Sequence, residues 1–574
     1  MKKILLGNEA IVQGALEAGV DFVSGYPGCP SAEIGDEFLK LSRLQSNRGS
    51  TMTTTAVGAS GQKENGVYSE WSTNEKVALE AAIGASFSGL KSLVNMKSFG
   101  INVCSDSLFP LAYTGTKSPM VIVVADDPSC WSSAQSEQDS RGYAYLSHIP
   151  VLEPSDPQEC RDFTKLGFEL SEKFNIPVIL RTTTRVAHQR MPVEFDEVGS
   201  RPQKTGEFIK NHHQFSTMPP RVLEMKKELL EKLEKIKAYV EKTKINKISK
   251  NPGSEKFGIV ASGVAYLHTL EALKELDLNV PILKINLFYP LADKTIASFI
   301  KKIKKVLVVE ELEGYLEKEI KAIAKDINLN LQVFGKDLLS KTGELNTEKV
   351  ILALSEISNF KIQNSKFNLL SGRQELKIPR RTARLCEGCP YWNVFPVIKR
   401  IAPEGTIFGG DIGCNMIAGL APHSMHDYLF SMGASLGISH GVKKSTSQKV
   451  ISLMGDGTFF HAGIPALINA VYNKSNPLVV ILDNRITAMT GHQQNPGMGK
   501  TGMGEDTEEL KIEEIAKACG VKHIKVLDPA NTKEFENAIK EFLDKDEVSL
   551  IICRKICKLL EKRQNSPSQI ISPD

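Results

Sequence analysis

Apolar and polar positions along this chain follow two periods. Short continuous apolar runs, VIVVAD at 121–126, PVILRT at 177–182, FGIVAS at 257–262, PILKINL at 281–287 and KVLVVEE at 305–311, read as buried strands. Two more such strands are predicted at Val450–Met454 and Pro477–Leu482. Between them lie longer segments with apolar residues at helical spacing, so the pattern predicts a multi-domain α/β protein built on doubly wound parallel sheets.

Breaks in the pattern divide the chain. An α/β domain is expected over 1–195, and a linker over 196–254 that carries a Lys/Glu-rich helix at 221–248. Leu223, Leu230, Leu233, Ile236 and Val240 recur along that helix at helical intervals, which reads as an amphipathic bridge with a wet charged face. A second α/β domain is expected over 255–360, a polar linker over 361–378, a third domain over 379–560 and a disordered tail over 561–574.

Composition changes this picture little. A chain of 574 residues suits roughly three to four domains. The formal net charge of +4 is spread through mixed-sign segments and calls for neither nucleic acid nor membrane. The opening MKKILL is interrupted by Gly7-Asn8-Glu9, and no apolar run spans a bilayer, so a cytoplasmic protein is expected. Ten cysteines scattered over this length do not form a disulfide framework.

The chemistry concentrates around Gly455-Asp456-Gly457 followed, after the 26 residues 458–483, by Asn484. An apolar strand ends at the glycine and Asp456 opens a helix, where anions and their metals bind. A second strand ends at Asp483-Asn484, so the Asp456 carboxylate and the Asn484 amide oxygen meet at neighbouring strand tips, a pair suited to Mg²⁺. The tripeptide alone is more often a mere turn; the flanking strands and spacing reverse that preference.

Other motifs are weaker. Gly25-Tyr26-Pro27-Gly28-Cys29-Pro30-Ser31 is a tight loop before a helix at Ala32. Glu75 falls in the first turn of a small-residue helix, with Ser72 as a possible cap. Arg141 follows a polar loop after the 121–126 strand, where an arginine can clamp a carboxylate, although isolated arginines are mostly solvated. Cys386-x-x-Cys389 alone is weak evidence for a metal, and Cys553 with Cys557 is the other close pair. The repeated cysteine run that holds iron–sulfur clusters is missing.

Together GDG-x26-N, ILDNRITAMTGHQ, GDIGC, GYPGCPS, EWSTNEKVALEAAIGAS and VIVVADDPS resemble the alpha subunits of the indolepyruvate ferredoxin oxidoreductase family, a match running from residue 1 to about 560. The resemblance implies a pyrimidine-binding domain first, a transketolase-C-like domain next and a diphosphate-binding domain last, with thiamine diphosphate between the first and last. It implies Asp456, Asn484 and the Ile486 carbonyl as Mg²⁺ ligands, with Gly455, Gly457, Asp411, Gly413, Cys414 and Thr490 around the cofactor. Glu75 would activate its aminopyrimidine ring, and Arg141 would hold the substrate carboxylate. The family oxidatively decarboxylates 2-oxoacids, here of aryl-pyruvate type, and transfers the acyl group to coenzyme A. It works with a gamma-type subunit and a ferredoxin or other acceptor, as a dimer of heterodimers.

Two departures stand out. No ferredoxin-like cluster domain follows the last strand, so no iron–sulfur cluster is expected in this chain. Cys29 replaces the threonine expected in GYPGTPS, at the reacting carbon. The missing clusters keep a non-oxidative decarboxylase or carboligase as an alternative, and a non-catalytic scaffold as a second.

Overall fold

A computed structural model of the chain describes residues 1–48, 66–199, 201–249, 257–358 and 383–565. It divides into two compact units, Met1–Leu376 and Lys377–Asp574. The predicted 361–378 linker lies outside the described residues, as does the tail from 566 onward; 561–565 complete a helix, Lys558–Asn565.

In the first unit the strands are β1 (Lys2–Leu6), β2 (Phe22–Gly25), β3 (Tyr68–Trp71), β4 (Ser92–Lys97), β5 (Met120–Asp126), β6 (Val151–Leu152), β7 (Val178–Thr183) and β8 (Arg190–Glu194). They continue as β9 (Lys247–Ile248), β10 (Phe257–Ser262), β11 (Ile282–Ile285), β12 (Leu287–Tyr289), β13 (Lys305–Val309) and β14 (Gln332–Phe334). One sheet has the order β12-β6-β7-β5-β4-β2-β3 and a second β14-β13-β10-β11-β9, while β1 and β8 form an antiparallel pair. Strands β2 to β5 and β7 run parallel, so their carboxyl ends open on one edge. Every residue of β5 and β7 is buried. Helices covering both faces of a parallel sheet require such unbroken apolar runs.

PILKINL, which reads as one strand, is two. β11 lies in the second sheet, and β12 crosses to pair antiparallel with β6 in the first. The amphipathic helix is Arg221–Lys242, and it packs rather than bridges. Its buried stripe is Met225, Leu229, Leu233, Ile236 and Val240, whereas Leu223 and Leu230 face water. Spacing alone did not separate these stripes, because leucines occur on both faces.

Arg141 also departs from expectation. Its side chain is fully buried in ion pairs with Asp139 (2.7 Å) and Glu310 (2.8 Å). Its remaining donors reach the carbonyls of Glu311 (2.6 Å) and Glu313 (2.9 Å). Arg181 lies alongside, donating to Asp126 and Glu153 at 2.8 Å each. Burial pushes the Asp139 carboxyl up, but Arg141 and Arg181 outweigh it and hold it below its ordinary range. Glu310 is pushed up by burial despite Arg141. Arg141 is therefore a tie between the first sheet and the segment after β13, its side chain wholly buried rather than presented to a substrate carboxylate.

In the second unit β15 (Ile407–Gly410), β16 (Tyr428–Leu429), β17 (Val450–Gly455), β18 (Leu478–Asp483), β19 (His523–Leu527) and β20 (Ser549–Arg554) form one sheet of order β16-β15-β17-β18-β20-β19. All its pairings are parallel. Leu453, Val480, Leu482 and Ile551 lie in one core layer and Met454, Val479, Ile481 and Ile552 in another. Among the described residues no helix is long and apolar enough to cross a membrane.

Because Arg141→Met would strand Asp139 and Glu310 as buried unpaired charges, it should destabilise the protein by about 3–5 kcal/mol. Denaturant titration checks this. An unchanged midpoint would show that the pairs carry no weight.

Candidate functional site

In the second unit, β17 and β18 are paired neighbours, with Gly455 opposite Leu482. Asp456 opens the helix that follows β17, and Asn484 follows the last residue of β18. The predicted pair thus stands at two adjacent strand ends, both residues buried. Burial, with Asp483 beside it, pushes the Asp456 carboxyl up to about 7, while the Asn495 amide, donating at 3.0 Å, only partly offsets this. Among the described residues no lysine or arginine lies within ion-pair distance of Asp456. Asp483 is instead committed to Arg554 at 2.6 Å, and Arg554 also binds Glu513. A cation is what this carboxylate lacks.

The space in front suits a ligand. A Cβ added at Gly455 or at Gly413 would meet nothing within 4 Å, and Gly413 holds a φ of +89° that side chains disfavour. Asp411 sits behind this space, accepting from the backbone N–H of Gly455 (3.1 Å) and of Gly433 (3.3 Å). Burial lifts it to about 6 against those bonds. It braces the loop rather than facing a ligand. Gly457 matters for the opposite reason, since a Cβ there would lie 3.1 Å from Thr487 Oγ1.

The loop after β18 is held locally. The Ile486 N–H donates to Asn484 Oδ1 (3.1 Å), and Thr487 and Gln493 exchange backbone hydrogen bonds. Thr490 donates to Gln493 Oε1 at 2.7 Å, so its hydroxyl serves the loop. Thr487, against Gly457, and Asn495, on Asp456, are neighbours of the clamp that the motif alone does not name.

A second feature of this sheet edge was not visible in any single motif. Cys386 and Cys389 form a tight turn closed by the Cys389 N–H on the Cys386 carbonyl (3.0 Å). Cys414 follows β15, and Cys557 follows β20 with its N–H on the Asn484 carbonyl (3.0 Å). Cys386, Cys389 and Cys557 lie near enough to Cys414 to act on it electrostatically, and the Cys557 thiol is 3.6 Å from His492 Nε2. Burial pushes Cys414 up to about 12, with Cys389, Cys557, Cys386 and Asp456 adding to it. Cys389 rises to about 11 through burial, with Cys386 and Cys557 contributing. Tyr391, buried, donates to the Leu482 carbonyl (3.3 Å) and lies between these thiols and Asp456. Cys553 instead points into the core. Among the described residues, no three His, Cys, Asp or Glu side chains close around a single metal ion.

In the first unit Glu75 is the first residue of the helix Glu75–Phe87 and is buried. Its cap is Asn74, which accepts from the Val77 N–H at 2.9 Å; Ser72 instead donates to Glu70. A Cβ on Gly100 would lie 2.6 Å from Glu75 Cγ, so glycine there leaves room for the carboxylate. Cys29 follows β2 on the same edge and is half-buried. Burial and Glu33 push its thiol up against the pull of Lys97, so it stays protonated at neutral pH. Arg141 is not among the groups presented at this edge.

Comparison with known proteins covers most of the chain. Residues 13–245 match the family described as pyruvate flavodoxin/ferredoxin oxidoreductase, thiamine diP-bdg. Residues 247–385 match the indolepyruvate oxidoreductase domain, and 411–553 the thiamine pyrophosphate enzyme, C-terminal TPP binding domain. The indolepyruvate oxidoreductase subunit IorA of Methanothermobacter marburgensis is 41% identical over 97% of this chain and 87% of its own length. That of Archaeoglobus fulgidus is 38% identical over 98% and 87%, and that of Pyrococcus horikoshii 39% over 97% and 86%. With its whole described core covered at this level, the chain belongs to the indolepyruvate oxidoreductase subunit IorA family.

Proposed function

We propose that this chain is the thiamine diphosphate-binding catalytic subunit of a 2-oxoacid oxidoreductase acting on aryl pyruvates, with coenzyme A as acyl acceptor. It works with a smaller gamma-type subunit, as a dimer of heterodimers, in the reducing cytoplasm that ten free cysteines suit. The observation that carries this reading is Asp456, a buried carboxylate without a cation at two strand ends. Mg²⁺ there would be held by Asp456, the Asn484 amide oxygen and the Ile486 carbonyl, and would neutralise the charge that burial penalises. Thiamine diphosphate, when bound, supplies the carbon that attacks the keto group and holds the electrons left by CO₂.

The chain's own residues do the rest. The glycines at 413 and 455 leave the backbone open to a diphosphate. Glu75, desolvated at a helix start, would hydrogen-bond the aminopyrimidine ring and set its proton position. The protonated Cys29 thiol offers the reacting carbon a neutral neighbour where threonine would offer a hydroxyl.

The oxidative reading is favoured over a non-oxidative decarboxylase by the four thiols. Cys386, Cys389, Cys414 and Cys557 would hold an iron–sulfur cluster, whose thiolates surround a group larger than one ion. This proposal differs from the sequence expectation of no cluster, which rests on motifs contiguous in sequence. Tertiary folding brings the thiols together from three distant segments.

The full chain with thiamine diphosphate, Mg²⁺, coenzyme A, an aryl pyruvate and its gamma-type subunit should reduce a viologen dye. Glu75→Gln should slow this by about 10²–10⁴-fold while keeping cofactor-induced thermal stabilisation. Aldehyde release without dye reduction would overturn the oxidative reading. Anaerobically purified Cys389→Ala should lose bound iron and dye reduction while still binding cofactor; a parent free of iron after reconstitution would remove the cluster.

A pH test isolates Asp456. Its folded-state value near 7 exceeds the ordinary 3.8. As pH rises from about 4 to 7 the unfolded chain loses this proton first, so the metal-free fold loses stability across that window. Asp456→Asn should therefore raise the melting temperature of the metal-free protein by a few degrees at pH 8 and hardly at all at pH 4. It should also abolish stabilisation by thiamine diphosphate with Mg²⁺.

A further inference from the structure

With Arg141 spent on ion pairs, the open edge of the first sheet needs another cation if it is to receive an anion. The loops at the carboxyl ends of β2, β3, β4, β5 and β7, together with β7 itself, carry few candidates among the described residues. Lys76 is paired with Glu80, and Arg181 with Asp126 and Glu153. Arg185 is bound to Glu344 at 2.5 Å, and His188 faces Glu33 at 3.3 Å. Lys97, the last residue of β4, has no carboxylate within ion-pair distance among the described residues; its ammonium donates to the Ser132 carbonyl at 2.9 Å and lies 5.1 Å from the centre of the Phe99 ring.

Its placement is built rather than incidental. β4 lies between β2, which leads to Cys29, and β5, which leads to Asp127. A Cβ on Gly28 would sit 2.8 Å from Lys97 Cβ, so glycine at that turn lets the lysine stem pass beneath the Cys29 loop. Three residues on, Gly100 packs on Glu75. Asp127 is the nearest acid that acts on the ammonium, but its Oδ2 already accepts from the Ser132 N–H (2.8 Å) and Ser133 Oγ (2.6 Å), and its Oδ1 from Thr184 Oγ1 (2.6 Å). Those bonds fix it at a distance from the lysine. Burial lowers the Lys97 ammonium from its ordinary range, and Asp127, Cys29 and Cys130 pull it back up. A half-buried ammonium with two unspent N–H donors at the mouth of a site is costly unless an anion completes it.

We propose that the Lys97 ammonium binds the carboxylate of the incoming 2-oxoacid, a role that rests on the reading of this chain as a 2-oxoacid oxidoreductase subunit. The ammonium meets a charge that departs as CO₂, so it acts on capture of the oxoacid more than on the barrier that follows. Removing it should raise KM for the oxoacid and leave kcat less affected.

The test uses the full chain with its gamma-type subunit, thiamine diphosphate and Mg²⁺. Lys97→Met should raise KM for an aryl pyruvate about 10- to 100-fold, the worth of one charged hydrogen bond. KM for coenzyme A should not move, nor should cofactor-induced thermal stabilisation. Lys97→Arg, which keeps the charge, should recover most of the loss. The corresponding aryl acetaldehyde, which has no carboxylate, should be oxidised by parent and Lys97→Met with the same KM. Should Lys97→Met fold poorly, Lys97→Gln serves the same comparison. Equal KM for the oxoacid in parent and variant would overturn the assignment, as would a rise confined to coenzyme A or an equal rise for the aldehyde. A parent that binds cofactor yet turns over no 2-oxoacid would sink the functional reading itself, and the Lys97 role with it.

Discussion

Parallel strands end together, and their unsatisfied charges must be answered at that edge. In the second unit this constraint falls on Asp456, which is buried beside Asp483 and answered by the Asn495 amide and backbone N–H donors rather than by a charge. Its neighbours follow from that position: Asp483 is drawn off by Arg554, and Asn484 is turned by the Ile486 N–H. Asp411 stiffens the facing loop from behind. A fold that keeps a carboxylate in this state carries a cost that a bound cation would offset.

The same edge gathers the thiols. Cys414 leaves β15, Cys557 leaves β20, and the Cys386–Cys389 turn is packed through Tyr391 onto the end of β18. A cluster there would lie beside the metal clamp within one sheet, giving electrons a short way out. The first unit uses its parallel edge differently, presenting Glu75, Cys29 and Lys97 while its arginines lock the adjoining sheet in place.

Much of this was legible in the chain. The unbroken apolar runs at 121–126 and 450–454 give central strands because both sheet faces are covered, and GDG-x26-N gives the clamp because its two halves sit on adjacent strands. By spacing Ser72 is a possible cap, yet Asn74 serves, since both residue types cap helices and only backbone geometry chooses. Leu223 and Leu230 were read into the wrong stripe of a helix with leucines all round.

The sequence by itself determined the fold class, and it offered Asp456 with Asn484 as a candidate clamp and Glu75 as a candidate glutamate, because each depends on local periodicity or on residues a fixed spacing apart. Tertiary structure alone decided that Arg141 is a buried tie, that PILKINL serves two sheets, that Cys386, Cys389 and Cys557 come near Cys414, and that Lys97 has no carboxylate partner among the described residues. Those outcomes depend on which partners lie within a few ångströms across hundreds of residues, and no spacing along the chain encodes that distance.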